Sequence, residues 1–175
     1  MKIYTRTGDA GITSNLYGQR VSKNDMSMHL IGAADELNSH LGLIKAMLSN
    51  VDIRRFIEGI QINLMKLMAH VSDIDNNKYL FSSDEVEVLE REIDKLSRGE
   101  TSGPGMEPEK TNKRFELVLP GKNMTEAQIH IARTVARRAE RLFFAVNEKK
   151  PLCKIAGAYL NRLSDYLFVL SQSGI

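Results

Sequence analysis

The sequence holds a single cysteine, Cys153, no tryptophan and only four prolines among its 175 residues. One thiol can neither close an internal disulfide nor build a thiolate zinc cage, and it fits a reducing cytoplasm. No run of about 18 apolar residues occurs, so no membrane-spanning helix is expected. The N-terminus, Met1-Lys-Ile-Tyr-Thr-Arg, lacks the apolar segment of a secretory signal. The charge excess of +2 is too small to argue for nucleic-acid binding by itself. Any anion site must therefore come from local clustering. Apolar residues make up an ordinary 42%, and a chain of this length buries roughly 70% of its unfolded surface, enough for a real core in one domain spanning 1–175.

What is present is a two-faced stretch, Arg133-Thr-Val-Ala-Arg137-Arg138-Ala-Glu140-Arg141. On a helix, Ala132, Val135, Ala136, Ala139, Leu142, Phe143 and Val146 recur at steps of three and four and form a core-facing stripe. Arg133, Arg137 and Glu140 fall on the far side with Phe144 beside them. Such a row is a solvated face, a polyanion site or a subunit contact. A phosphate-tracking helix for nucleic acid would need more basic residues and stacking aromatics on the same surface. The interleaved Glu140 and the apolar stripe argue against it.

Residues 1–24 differ in kind from the rest. Thr5-Arg6-Thr7-Gly8-Asp9-Ala-Gly11-Ile-Thr13-Ser14 is rich in hydroxyls and glycines, with Gly18, Arg20 and Lys23 following. This reads as a short strand at Lys2 to Tyr4 leading into a turn-rich arm. Glycines allow close backbone approach to a ligand, and bare N–H groups with threonine hydroxyls suit phosphate oxygens. The Gly-Lys-Ser/Thr ending of a Walker A loop is missing.

Residues 25–175 read as helices. The first spans about Asp25 to Leu48, with Ile31, Ala34, Leu37, Leu41, Ile44 and Leu48 as its stripe. The second spans about Asp52 to Ile74, with Asp52 as its cap. The third opens on the capping box Ser82-Ser-Asp-Glu85 and runs to Gly99. Residues 99–113 form a loop, Arg114 to Leu119 are extended, and Pro120-Gly121 breaks the chain. Thr125-Glu-Ala-Gln128 reads as a second capping box opening the arginine-bearing helix, which runs to about Asn147. A last helix runs from about Leu152 to Gln172, with Asn161 and Asp165 off its stripe. The pattern predicts an all-α, five-helix bundle with an irregular N-terminal arm.

Other chemistries find little footing. A di-iron centre in a bundle needs Glu-x-x-His pairs, whereas Glu36 and His40, like Glu126 and His130, are four apart. His29 and His70 lack ligand-spaced partners and read as surface or satisfied core histidines. Cys153 has no histidine partner and reads as a packed thiol, and no serine sits in a nucleophile elbow. The reactive electron pair would then belong to a substrate or cofactor that the protein orients.

Six blocks in order along the chain carry a resemblance. They are Tyr4-Thr-Arg-Thr-Gly-Asp-Ala-Gly11, Gly18-Gln-Arg-Val-Ser-Lys23, Asp35-Glu-Leu-Asn-Ser-His-Leu-Gly42, Leu119-Pro-Gly121, Ala132 to Arg141, and Tyr159-Leu-Asn-Arg-Leu-Ser-Asp-Tyr-Leu-Phe168. Together they resemble the PduO-type ATP:cob(I)alamin adenosyltransferases. The resemblance implies a ferritin-like up-and-down bundle that forms a homotrimer, with active sites between subunits. It implies that cob(I)alamin attacks the 5′ carbon of ATP, giving adenosylcobalamin and triphosphate, with Mg²⁺ carried by the phosphates rather than by protein ligands. A cobalamin reductase and an adenosylcobalamin-dependent enzyme are implied partners, and neither nucleic acid nor membrane is. A nucleotide- or corrinoid-binding regulator or carrier on the same bundle is the alternative reading.

By the same resemblance, Thr5, Arg6, Thr7 and Gly8 match the arm that wraps ATP, and Thr13, Ser14 and Lys23 match further phosphate contacts. Arg137, Arg138, Ala139, Glu140 and Arg141 match the helix that meets ATP across the interface, with Arg137 as the catalytic group. Asn161 matches a nucleotide-contacting amide, and Asp35 with Arg133 an inter-subunit ion pair. Leu117 stands at the position of the aromatic side chain that family members push beneath the corrin, with Phe115 on the same face as a substitute. Lys122 stands where a second glycine is common.

Overall fold

The computed structural model describes residue 4 and residues 6–73, 78–99 and 118–174. Five helices follow a small hairpin of β1 (Ile12–Ser14) and β2 (Arg20–Ser22). The helices are α1 (Met26–Met47), α2 (Val51–Ser72), α3 (Ser83–Ser97), α4 (Met124–Asn147) and α5 (Lys154–Gln172). Helix α1 packs between α2 and α4, α4 between α1 and α5, and α3 lies on α5. The all-α bundle expected from periodicity is the fold found.

Burial follows the stripes with small rotations. On α4, Ile129, Ala132, Val135, Ala136, Ala139, Phe143 and Val146 are buried, while Leu142 is only partly so. On α1, Leu30 and Ala33 join Ala34, Leu37, Leu41 and Ile44 in the core, and the expected Ile31 is only partly buried. Alanines at three α4 core positions, Ala132, Ala136 and Ala139, let α1 and α5 approach closely. Gly157 takes this further on α5, because a Cβ there would stand 2.7 Å from the buried Phe143 ring.

The caps correct two sequence expectations. Asn50, not Asp52, caps α2, its side-chain oxygen accepting from the N–H groups of Asp52 (3.0 Å) and Ile53 (3.1 Å). Asn123, not Thr125, caps α4 by accepting from Glu126 N–H at 2.8 Å. In both cases asparagine, with a short acceptor in extended backbone, takes the orphan amides of the first turn. The Ser82–Glu85 box forms as expected, Glu85 accepting from Ser82 N–H at 2.7 Å. Contact with Lys66 and Ser82 holds the Glu85 carboxyl down at about 2 against the cost of its burial.

The N-terminal region is more ordered than a bare turn-rich loop. β1 and β2 pair antiparallel with Thr13 opposite Val21. Asn15 builds the connection, its side-chain oxygen accepting from Tyr17 N–H (3.1 Å) and Gln19 N–H (2.9 Å), and Gly18 turns at φ 78°. Its side-chain amide donates to the Ser72 carbonyl at 3.3 Å, using one of the orphan acceptors at the end of α2. Tyr4 lies outside any strand. The remainder of the strand expected at 2–4, like most of the loop and extended segment expected at 99–119, falls outside the described residues.

Cys153 and His70 lock the α5 entry to α2. The buried His70 ring accepts from Cys153 N–H through Nε2 at 3.0 Å, and the thiol donates to the Phe81 carbonyl at 3.6 Å. Burial pushes the His70 pKa down. The unfolded chain therefore takes up the proton first, at about 6.5. The stability this ring confers is whole above that pH and is lost as pH falls towards the lowered folded value. Replacement His70→Gln should flatten the pH dependence of unfolding free energy below 6.5, by up to about 1.4 kcal/mol per pH unit. Gly157→Ala should lower the urea midpoint with a net cost of about 1–2 kcal/mol, overpacking against Phe143 outweighing the gain in helix propensity.

Candidate functional site

The arm is built around Gly8. Successive turns, Asp9 N–H to the Arg6 carbonyl (3.5 Å) and Gly11 N–H to the Gly8 carbonyl (3.3 Å), bring the chain into β1. Arg6 adopts φ 60°, the one positive φ at a non-glycine among the described residues, and its guanidinium lies 5.6 Å from the Tyr4 ring centre. Lys23 N–H closes the hairpin base on the Gly11 carbonyl at 2.9 Å. The Lys23 ammonium then lies 3.3 Å from where a Gly8 Cβ would stand. A side chain at Gly8 would press on the ammonium, which the flexible lysine could relieve by a small shift.

Arg20 holds this assembly together. One guanidinium nitrogen donates to the Thr7 carbonyl at 2.9 Å, another to Ser14 Oγ at 3.4 Å. Thr7, Gly8, Ser14 and Lys23, four of the site residues expected from sequence, are thereby gathered on one small surface. Thr13 is half-buried on the paired strand between them. Beneath the hairpin lies a cavity of about 260 Å³ reaching Met28 on α1, Asp73 after α2 and Lys150 after α4. Burial and the nearby Asp73 carboxylate push the Tyr17 phenol on its wall up to about 12.

The second cluster lies on α4. Arg137 and Arg141 are exposed, and among the described residues neither guanidinium has an ion-pair or hydrogen-bond partner. Arg138 pairs with Glu36 on α1. Glu140 accepts from the Asn161 side-chain amide on α5 at 2.9 Å. Ala139 between them is buried in the core seam. Phe144 is 51% exposed on the outer side, its ring edge-on to buried Phe143. Two cations are left free beside a fixed amide and carboxylate, an arrangement suited to an anionic ligand that also presents hydrogen-bonding groups.

Among the described residues, no hydrogen bond or ion pair joins the two clusters. Lys150, just past α4, borders the cavity under the arm, whereas Arg137 precedes the Asn147 end of α4 by roughly 15 Å of helical rise. Asp35 is exposed, and no ion pair joins it to Arg133 among the described residues. Instead, Arg133 is half-buried and donates through Nε to His130 Nδ1 at 3.3 Å. Thr5, Phe115 and Leu117 fall outside the described residues. Of the two Glu–His pairs spaced four apart, Glu36 and His40 take different partners, while Glu126 and His130 stay side by side. His40 Nδ1 lies 2.6 Å from Gln128 Nε2, Glu36 binds Arg138, and Glu126 turns to its own helix start.

Glu126 is a residue the sequence pattern did not single out as functional. Although 2% exposed, its Oε2 accepts from Gly121 N–H at 2.7 Å and Lys122 N–H at 3.1 Å. Those amides hold its carboxyl below the usual range despite burial. Its Oε1 lies 3.1 Å from His130 Nε2. Since His130 Nδ1 accepts from Arg133, the neutral ring carries its proton on Nε2, facing Glu126. Arg20 and Glu36 lie inside the Gly18–Lys23 and Asp35–Gly42 blocks, which could have marked them, whereas Glu126 falls between blocks and carried no such signal.

With this geometry in view, the comparisons with known proteins are specific. Residues 3–173 match the family described as cobalamin adenosyltransferase, and the chain belongs to that family. It is 35% identical to a corrinoid adenosyltransferase of Citrobacter freundii, over 98% of this chain and 93% of that protein. It is 38% identical to a cobalamin adenosyltransferase of Cupriavidus metallidurans, over 98% of this chain and 86% of that one. Among solved structures it resembles a variant of the PduO-type ATP:corrinoid adenosyltransferase of Lactobacillus reuteri complexed with cobalamin and ATP. That match has a TM-score of 0.84 at 27% identity and covers 98% of this chain and 92% of the other.

If Arg20 is what fastens the arm, Arg20→Ala should speed amide exchange at Asp9 and Gly11 by about ten-fold or more while the thermal midpoint of the bundle stays within about 2 °C, since local opening and global unfolding are separate events.

Proposed function

We propose that the chain transfers the 5′-deoxyadenosyl group of ATP to cob(I)alamin, giving adenosylcobalamin and triphosphate, at a site completed by two neighbouring copies of a homotrimer. The whole chain, 1–175, then acts as one domain, with residues 1–24 as the nucleotide-wrapping arm and 25–175 as the bundle. The observation that carries this is the pair of guanidinium groups, Arg137 and Arg141, which among the described residues have no partner and no hydrogen bond or ion pair to the Gly8–Lys23 arm. A second copy that brings its arm to this row gives both halves a single nucleotide to share. Family membership supports the catalytic reading over a non-catalytic nucleotide- or corrinoid-binding carrier.

The chemistry assigns the electron pair to cobalt and the leaving group to ATP. Cobalt(I) attacks C5′, the C5′–O bond breaks, and the triphosphate leaves with its charge increased. The protein's part is to place C5′ in line and to stabilise that charge. Arg6, Thr5, Thr7, Gly8, Thr13, Ser14 and Lys23 cradle the polyphosphate from one subunit. Arg137 meets it from the other, where a bidentate fork fits phosphate oxygens as the charge builds. Arg138, Glu140 and Arg141 frame that contact, and Asn161, already fixed by Glu140, offers its amide to the nucleoside. Mg²⁺ enters with the nucleotide as the counter-ion of its phosphates. Asp35 of one copy pairs with Arg133 of the next, fixing the interface geometry.

On the corrinoid side, Leu117, with Phe115 on the same face, presents the apolar surface that keeps the lower axial base away from cobalt. The reaction suits a reducing cytoplasm, with a cobalamin reductase supplying electrons and an adenosylcobalamin-dependent enzyme taking the product. The deciding experiment is an anaerobic assay with cob(I)alamin and ATP, following the cobalamin spectrum and released triphosphate. The wild type should turn over, and Arg137→Ala should lose at least about 100-fold in kcat, the scale for removing one transition-state charge contact, while sedimenting as the same oligomer. An unaltered rate would remove Arg137 from the mechanism, and a monomeric active species would end the shared-site reading.

A further inference from the structure

Glu126, His130, Arg133 and Arg137 follow one another at steps of four, three and four, so they share one face of α4. The first three are joined by contact. Glu126 takes the Gly121 and Lys122 amides with one carboxylate oxygen and faces the His130 ring with the other. His130 in turn accepts from the Arg133 guanidinium. Both Glu126 and His130 are almost fully buried, at 2% and 4% exposure. A buried carboxylate in a helix's first turn is costly unless its oxygens are used, and here Oε2 takes both turn amides while Oε1 faces His130 without a hydrogen bond.

Among the described residues, no other hydrogen bond holds Gly121 or Lys122. Gly121 sits at φ 119°, a conformation side chains rarely adopt. On either side of it the apolar Leu119 and Met124 are 87% and 81% exposed. Two large apolar side chains held into solvent by a pinned turn make a lip suited to a broad, flat, partly apolar ligand rather than to a triphosphate.

We propose that Glu126 is a positioning residue for the corrinoid co-substrate: it pins the Gly121–Lys122 turn that carries this lip and, through His130, sets the guanidinium of Arg133 on the face that leads to Arg137. This rests on the adenosyltransferase reading given above. Glu126 touches neither substrate. It acts by holding the lip at a fixed height over the arginine row, so that its loss loosens corrinoid binding while the nucleotide cradle of Arg6, Gly8 and Lys23 stays intact.

The test uses the full chain with Glu126→Asp, Glu126→Ala and Glu126→Gln. Aspartate keeps the charge but shortens the reach, alanine removes the acceptor, and glutamine keeps an oxygen for the two amides. For the aspartate and alanine forms, the KM for cob(I)alamin should rise about ten-fold or more with the KM for ATP within about two-fold. The glutamine form should stay within about three-fold on both. In parallel, amide exchange at Gly121 and Lys122 should accelerate in the alanine and aspartate forms and not in the glutamine form. Should the alanine form fail to fold, the aspartate–glutamine pair decides. A corrinoid KM unchanged in the aspartate form, or an ATP KM that rises with it, overturns the proposal. So does unaltered exchange at the two amides. A wild type that binds both substrates without turnover would instead sink the adenosyltransferase reading, and the exchange measurement would still judge the clamp.

Discussion

Everything in this chain depends on how α4 is buried. Its alanine-rich stripe must lie between α1 and α5, and Ala132, Ala136 and Ala139 are fully buried there. Small side chains gain less per residue from burial than leucine would, at about 25 cal/mol per Å², but they let two neighbours approach along the same helix. Once that side is committed to the core, the 3.6-residue repeat leaves Arg137 and Arg141 no choice but the outside. The seam is thus the cause of the arginine row, and the row's position is as rigid as the core beneath it.

The neighbours of that row are divided into engaged and free. Arg138 is neutralised by Glu36 and Glu140 is occupied by Asn161, which gives the α1–α4 and α4–α5 contacts polar locks at the surface. Exposed pairs of this kind add little to stability; their use is to fix rotamers around the charges left unpaired. An anionic ligand at this row would meet a surface whose hydrogen-bonding pattern is already set. The arm repeats the device, with Arg20 spent on Thr7 and Ser14 so that Lys23 can stand against Gly8.

Much of this was legible from residue order. Steps of three and four placed all five helices, and the hydroxyl- and glycine-rich opening marked the arm as separate. Three things were not. The hairpin strands span only Ile12–Ser14 and Arg20–Ser22, too short for an alternating pattern to register. Asp52 and Thr125 both head acceptable cap patterns, but Asn50 and Asn123 stand where their side-chain oxygens reach the first-turn amides. Glu126 and His130 are spaced four apart, which argues against a di-iron pair but says nothing of a structural role. What the sequence could not convey is that the Pro120-Gly121 turn folds back, so that a carboxylate in the first turn of α4 finds two backbone amides.

The arm hangs from the Ser72 carbonyl, at the last turn of α2. One residue added to that helix would swing this peg by about 100° around the axis and advance it about 1.5 Å. The helix itself acts as a fixed ruler between the bundle floor and the hairpin. Insertions in α2 should therefore be tolerated by the core only in whole turns, and even those would lift the hairpin away from Met28 and Lys150.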